Sequence, residues 1–93
     1  IFMETKILDY RIIIEPETRD DGSAVYCASC PTLGVYDYGN SVEEALKSIK
    51  DGIQLAVELL AKEKKLVPMD NLDSQIITSM KIAVPYKPNF SFA

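Results

Sequence analysis

The junction at residues 38–45, with the sequence YGNSVEEA, constrains the fold more than any other stretch of the chain. The Ser41 hydroxyl can accept a hydrogen bond from the N–H of Glu44, and the Glu44 carboxylate can accept one from the N–H of Ser41. Gly39 supplies the backbone freedom that a turn from strand to helix requires. Gly39, Ser41 and Glu44 therefore predict a structural helix cap, which fixes where a strand ends and a helix begins.

A stripe of apolar residues at helical spacing follows this cap and predicts one amphipathic helix over residues 42–64. The stripe consists of Val42, Ala45, Leu46, Ile49, Ile53, Ala56, Val57 and Leu60. Gly52 lies inside the helix and costs about 1 kcal/mol relative to alanine. We attribute this glycine to a close approach between the helix and a sheet. Pro68 prevents the helix from continuing.

Four segments have the residue pattern of β-strands. They are residues 6–15, 24–30, 35–38 and 75–84. Pro16 is expected to end the first strand, because proline cannot donate to a ladder. Turn residues then make the first three strands antiparallel, and a right-handed crossover through the helix places the fourth strand beside the first. The expected fold is α+β with the element order β-β-β-α-β. Its four-stranded mixed sheet has the order 3-2-1-4, with one long helix on one face.

The sheet face without a helix predicts self-association. Ile7, Ile13 and Ile77 would lie on that face, and the strand at 75–84 would present an open edge. We therefore expect a homodimer or a higher homo-oligomer that buries this apolar surface. The alternative is a monomer whose C-terminal tail covers the same surface.

The length and charge of the chain limit its function further. Ninety-three residues suit a single domain over 1–93, with its core over 6–84. A net charge of −4 argues against a nucleic-acid surface and is compatible with a basic protein partner. No apolar run reaches the ~18 residues of a membrane helix and no signal peptide is visible, so we expect a cytoplasmic protein that does not bind membranes. Ile1 and Phe2 precede Met3, a possible natural start, and receive no functional weight.

The sequence also argues against an enzyme. It contains no histidine, which is the commonest general base and metal ligand. Cys27 and Cys30 lie on one strand with their side chains on opposite faces, and two thiols alone leave zinc two ligands short. Carboxylates that a metal-dependent nuclease could use show no metal-site spacing; they are Asp9, Asp37, Glu43 and Asp51. We therefore expect no catalytic residues, no metal and no cofactor, and we interpret both cysteines as buried apolar thiols.

Three segments taken together resemble the HicB family of type II toxin–antitoxin systems. They are residues 26–34 (YCASCPTLG), 38–46 (YGNSVEEAL) and 66–68 (LVP). Gly39, Glu44 and Ala45 match the family pattern, while Ser41 stands where the family has threonine and Asn40 where it has aspartate. The resemblance extends over about residues 10–68. It implies a partial RNase H-like fold, in agreement with the element order above.

The resemblance also implies a function. HicB-like antitoxins bind and neutralise a small basic HicA-type toxin that cleaves mRNA, here by occlusion. Many members add a C-terminal DNA-binding module, but only 25 residues follow Pro68 in this sequence, so we expect neither a separate DNA-binding domain nor direct DNA binding. The alternative is a solitary oligomeric HicB-like binding module without a toxin partner, whose ligand is unknown.

Tyr36, Asp37 and Tyr38 are the candidate partner-binding residues. Aromatic side chains commonly anchor protein interfaces, and these three residues stand just before the helix cap. The alternative for the two tyrosines is ordinary packing within a strand.

Overall fold

The computed structural model describes residues 6–85 and 89–91, so the residues around the possible start at Met3 lie outside the described part. Three strands come first: β1 (Ile13–Thr18), β2 (Ala24–Cys30) and β3 (Val35–Gly39). The helix α1 (Val42–Lys62) and a single 3-10 turn (Leu72–Ser74) follow. The predicted α+β class is confirmed.

The described strands form an antiparallel sheet in the order β1-β2-β3. Between β1 and β2, the Arg19 N–H donates to the Ser23 carbonyl at 2.8 Å and the Gly22 N–H donates to the Arg19 carbonyl at 2.9 Å. Gly22 has a φ of 86°, a left-handed conformation that glycine adopts without a Cβ penalty. The predicted antiparallel arrangement of the first three strands is therefore confirmed, with β2 in the centre.

The predicted bounds of the first strand, residues 6–15 ending before Pro16, are wrong. The observed β1 begins at Ile13, passes through Pro16 opposite Tyr26, and ends at Thr18. Proline is tolerated because β1 is an edge strand among the described residues, where a missing N–H leaves no ladder position unfilled. The pairing ends at Ile13 opposite Ser29, because β2 stops one residue later. Residues 6–12 continue beyond the sheet without a strand partner in the described part of the chain.

The predicted fourth strand over residues 75–84, and with it the order 3-2-1-4, is not formed in the described chain. Every residue of this segment is exposed and none is in a strand. Alternating side chains favour an extended backbone, but they do not supply the neighbouring strand that a ladder needs. The observed sheet therefore has three strands among the described residues, and the finer RNase H-like arrangement is not formed by them.

The core lies between α1 and the sheet. Ala28, Cys30, Ala45 and Ile49 are fully buried there. Partly buried side chains surround them: Tyr10, Ile12, Ile14, Tyr26, Leu33, Val35 and Ile53. Cys30 confirms the interpretation of a buried thiol, whereas Cys27 is only partly buried; both are free.

Gly52 lies at a close approach of α1 to β3. A Cβ built on Gly52 would lie 3.1 Å from Cγ1 of Val35, which confirms the predicted reason for a glycine inside the helix. The helix ends two residues before the predicted position. Lys64 adopts a left-handed conformation with a φ of 57°, and the Lys65 N–H donates back to the Leu60 carbonyl at 2.9 Å. This arrangement satisfies a carbonyl at the helix end.

Candidate partner-binding surface

The sheet face opposite α1 carries two of the three candidate partner-binding residues. Residues paired across an antiparallel sheet point to the same face, and successive residues alternate. Because Val35 contacts the helix side at Gly52, Tyr36 and Tyr38 point away from the helix. We call this surface the open face. Its residues on the three strands are Ile13, Glu15, Glu17, Val25, Cys27, Ser29, Tyr36 and Tyr38.

The two tyrosines are the main exposed aromatic groups of the open face. Tyr36 is 67% exposed and Tyr38 is 52% exposed. Asp37 lies between them on the helix side of the sheet and is partly buried; its Oδ1 accepts a hydrogen bond from the Tyr38 N–H at 2.8 Å. The structure thus brings Tyr36 and Tyr38 together and separates Asp37 from them.

The open face also carries acidic residues, which lie on β1 across the central strand from the tyrosines. Tyr38 is in register with Cys27, which is in register with Glu15 on the edge strand. The Cys27 thiol, and beyond it the Glu17 carboxylate, raise the pKa of the Tyr38 hydroxyl above its ordinary value. The hydroxyl is protonated at neutral pH, as that of an ordinary tyrosine is, and can donate a hydrogen bond. The open face combines exposed aromatic rings with negative charge.

The helix cap holds β3 and α1 together beside this face. The Glu44 N–H donates to Oγ of Ser41 at 3.1 Å, as predicted. The Glu44 carboxylate accepts a hydrogen bond from the N–H of Asn40 at 2.7 Å, and not from that of Ser41 as predicted. A Cβ on Gly39 would lie 2.7 Å from the carbonyl carbon of Glu44. Glycine is required at this position because the helix start passes so close to the strand end.

Arg19 links the β1–β2 turn to the same junction. Its Nη2 donates to Oδ1 of Asn40 at 2.6 Å, and its Nη1 donates to the Ala24 carbonyl at 3.3 Å. The two residues are 21 positions apart, in a loop and a cap, and nothing in the sequence relates them, so this contact could not be predicted.

Asp70 anchors the segment that follows α1. Its carboxylate accepts hydrogen bonds from the Arg11 N–H, at 2.7 Å, and from the Thr32 hydroxyl. The Tyr10 hydroxyl donates to the Pro68 carbonyl at 2.6 Å nearby. The hydrogen bonds from Thr32 and then Arg11 lower the pKa of Asp70. The sequence showed only a polar connection here, so this anchor was also missed.

The described residues contain no group of three or more histidine, cysteine, aspartate or glutamate side chains placed to hold a metal ion. In the same part of the chain, no helix combines the length and the apolar character that crossing a bilayer requires.

Comparison with known proteins places the chain in a family. It is 37% identical over 68 residues to the UPF0150 protein ssr1765 of Synechocystis sp. (strain ATCC 27184 / PCC 6803 / Kazusa), an alignment that covers 72% of this chain and 81% of that protein. The chain belongs to the UPF0150 family. UPF0150 is the HicB-like family, so the resemblance seen in the sequence is confirmed at the level of the family.

The UPF0150 name states a family and no activity. No family model matches the chain, and no solved structure matches it. The antitoxin function therefore stays a prediction for this UPF0150 chain.

Proposed function

We propose that this chain is a HicB-like antitoxin that binds a small basic HicA-type toxin and neutralises it by occluding the surface with which the toxin cleaves mRNA. The observation that carries the proposal is the open face, where Tyr36 and Tyr38 are exposed on β3 and Glu15 and Glu17 lie on the same face on β1. Membership of the HicB-like family supports the same function.

The chemistry of the open face suits a basic protein partner. Exposed tyrosines supply large, stiff apolar contacts together with a hydroxyl donor, which is the usual composition of interface anchors. Glu15 and Glu17 lie on the same face on β1, separated from the tyrosines by β2, and the whole chain carries a charge of −4. Complementary charge increases the association rate and orients the partner before contact. The chain acts by binding, and its place of action is the cytoplasm, where mRNA is cleaved.

We also propose that the sheet of the functional protein has a fourth strand in addition to the three described. Residues 75–84 complete a partial RNase H-like sheet as its fourth strand once they gain a partner. The alternation of apolar and polar side chains in residues 75–84 supports a fourth strand. Residues 6–12, which have no strand partner in the described chain, also support it. The negative charge supports the absence of direct DNA binding.

The experiment is co-expression with the toxin encoded beside this gene, expected to be a short, basic, histidine-containing reading frame. We expect the two proteins to co-purify and the antitoxin to restore growth. Tyr36→Ala and Tyr38→Ala should each weaken toxin binding by about 2 kcal/mol or more, roughly 30-fold, measured by calorimetry. Leu66→Ala is the matched control, because Leu66 is exposed away from the open face.

Two results would contradict the antitoxin function. One is a neighbouring toxin that neither associates with the chain nor loses its toxicity. The other is a set of correctly folded tyrosine variants, checked by circular dichroism, that bind as tightly as the Leu66→Ala control.

A solitary oligomeric binding module is the second candidate, favoured by the exposed apolar side chains of residues 75–84. A gene with no short basic neighbour, whose product self-associates and binds no HicA-type protein, supports this candidate over the antitoxin.

A further inference from the structure

Residues 75–84, which we call the C-terminal arm, extend away from the sheet and helix. The molecule measures 67 × 38 × 20 Å and has a radius of gyration of 18.0 Å. A compact domain of this length has a radius of gyration of about 12 Å. The projecting arm is thus a separate feature of the molecule that needs its own explanation.

The arm is an exposed strand-like segment with one apolar side. Ile76, Met80 and Ile82 share that side with Thr78 and Val84, because side chains alternate along an extended chain. Ile76 is 90% exposed, Met80 83% and Ile82 71%. A row of large apolar side chains in water is unfavourable, and such a row marks a surface that another surface covers.

A groove of matching character lies between residues 6–12 and α1. It has a volume of about 620 Å³. Seven apolar or aromatic residues line it: Leu8, Tyr10, Ile12, Leu46, Ile49, Ile53 and Val57. Charged residues of both signs also line it: Lys6, Asp9, Lys50 and Glu58. Residues 6–12 have no strand partner in the described chain, and apart from the Arg11 N–H, which Asp70 binds, their backbone can accept a further strand. The groove therefore offers both an apolar floor and an open edge.

The base of the arm is fixed beside this groove. Asp70 is held by Arg11 and Thr32, and Nη1 of Arg11 donates to Oε1 of Gln75, the first residue of the arm, at 2.5 Å. Ten extended residues span about 33 Å, which is long enough to cross a neighbouring molecule. The arm thus starts next to its own groove and leaves it empty.

We propose that two copies of this chain exchange arms, each arm lying in the groove of the other copy as the fourth strand of its sheet. Each copy has one arm and one groove, and because the two are adjacent, a two-fold axis beside them fills both grooves in a single closed interface. Exchange of an identical element is a low-cost route to a dimer. The proposal concerns a surface other than the open face and holds whether or not a toxin is bound.

The first test compares substitutions on the apolar side of the arm with substitutions on its opposite side. Light scattering of the full chain should give twice the monomer mass of 10.4 kDa. The double variant Met80→Glu/Ile82→Glu places two charges in the groove and should weaken the dimer by about a hundredfold or more. Ser79→Glu/Ala83→Glu adds the same charge on the other side of the arm and should leave the dimer intact. A monomeric wild type, or a dimer that both double variants leave unchanged, overturns the proposal.

The second test separates exchange from docking of each arm on its own chain. Leu46→Glu damages the groove at a partly exposed position of the helix, so the chain should remain folded. This variant and Met80→Glu/Ile82→Glu should each be monomeric alone. Mixed together, they should form a heterodimer, because the intact arm of the first fits the intact groove of the second. A mixture that stays monomeric overturns the exchange and indicates docking within one chain.

Discussion

Gly39 is required for its lack of a side chain. The β3 end and the helix start approach each other so closely that a Cβ at Gly39 would lie within 3.0 Å of backbone atoms of Glu44, and backbone cannot move aside as a flexible side chain can. The cap formed by Ser41 and Glu44 depends on this approach.

Gly39→Ala should destabilise the chain by about 2–3 kcal/mol, because the added methyl group overlaps backbone at the strand–helix junction. Gly34→Ala is the control: nothing lies within 4 Å of its Cβ position, and only its left-handed φ of 66° costs about 1–2 kcal/mol. Urea unfolding of both variants measures the difference. Equal losses would show that the close approach at Gly39 is not limiting.

Asp70 makes stability depend on pH in the acid range. Its pKa in the folded chain is lowered, so its contribution is fully present above the unfolded pKa of about 3.9 and is lost as the pH falls through the lower folded value. Asp70→Asn should therefore reduce stability at pH 7 and have less effect at pH 3, measured by urea unfolding. Asp73→Asn, in the adjacent 3-10 turn, is the control, because it removes the same charge and leaves the hydrogen bonds from Arg11 and Thr32 to Asp70 in place.

At the element scale, the helix is positioned by contact with β3. Val35 and Gly52 allow the two elements to approach, and the buried residues on both sides of that contact form the core. A glycine inside a helix is unfavourable by itself, so its presence reflects packing and not helix propensity.

Gly52→Ala should therefore have different effects on stability in two backgrounds. In the wild type, the gain of about 1 kcal/mol in helix propensity is offset by the tight 3.1 Å contact with Val35. In a Val35→Ala chain the contacting Cγ1 is absent, and Gly52→Ala should stabilise by about 1 kcal/mol. A double-mutant cycle from urea unfolding measures this coupling. A coupling energy near zero would show that the helix does not rest on Val35.

Some element boundaries could be predicted from the local sequence pattern and others could not. The helix start and the two hairpins follow from local residues, and all three are observed. The glycine at position 52 indicated a close approach, but its partner, Val35, is known only from the structure. The start of β1 depends on the length of β2, because a strand is paired only where its neighbour extends. Pro16 was expected to end the strand, but an edge position tolerates a residue without an N–H.

At the scale of the whole molecule, one sheet carries three different surfaces. The helix covers one face, the open face presents Tyr36 and Tyr38, and residues 6–12 leave a groove beside the edge strand. A toxin on the open face and a second copy in the groove would not compete for the same residues. The predictions for the tyrosines and for the arm can therefore be tested independently.

The sequence by itself determined the α+β class, the helix cap and the antiparallel hairpins, because these depend on hydrogen bonds and side-chain periodicity among residues near one another in the chain. Only the tertiary structure decided that Asp70 and Arg19 bridge distant segments and that residues 75–84 stay off the sheet. Those outcomes depend on which distant backbone groups meet, and no local pattern specifies the partner of an extended segment.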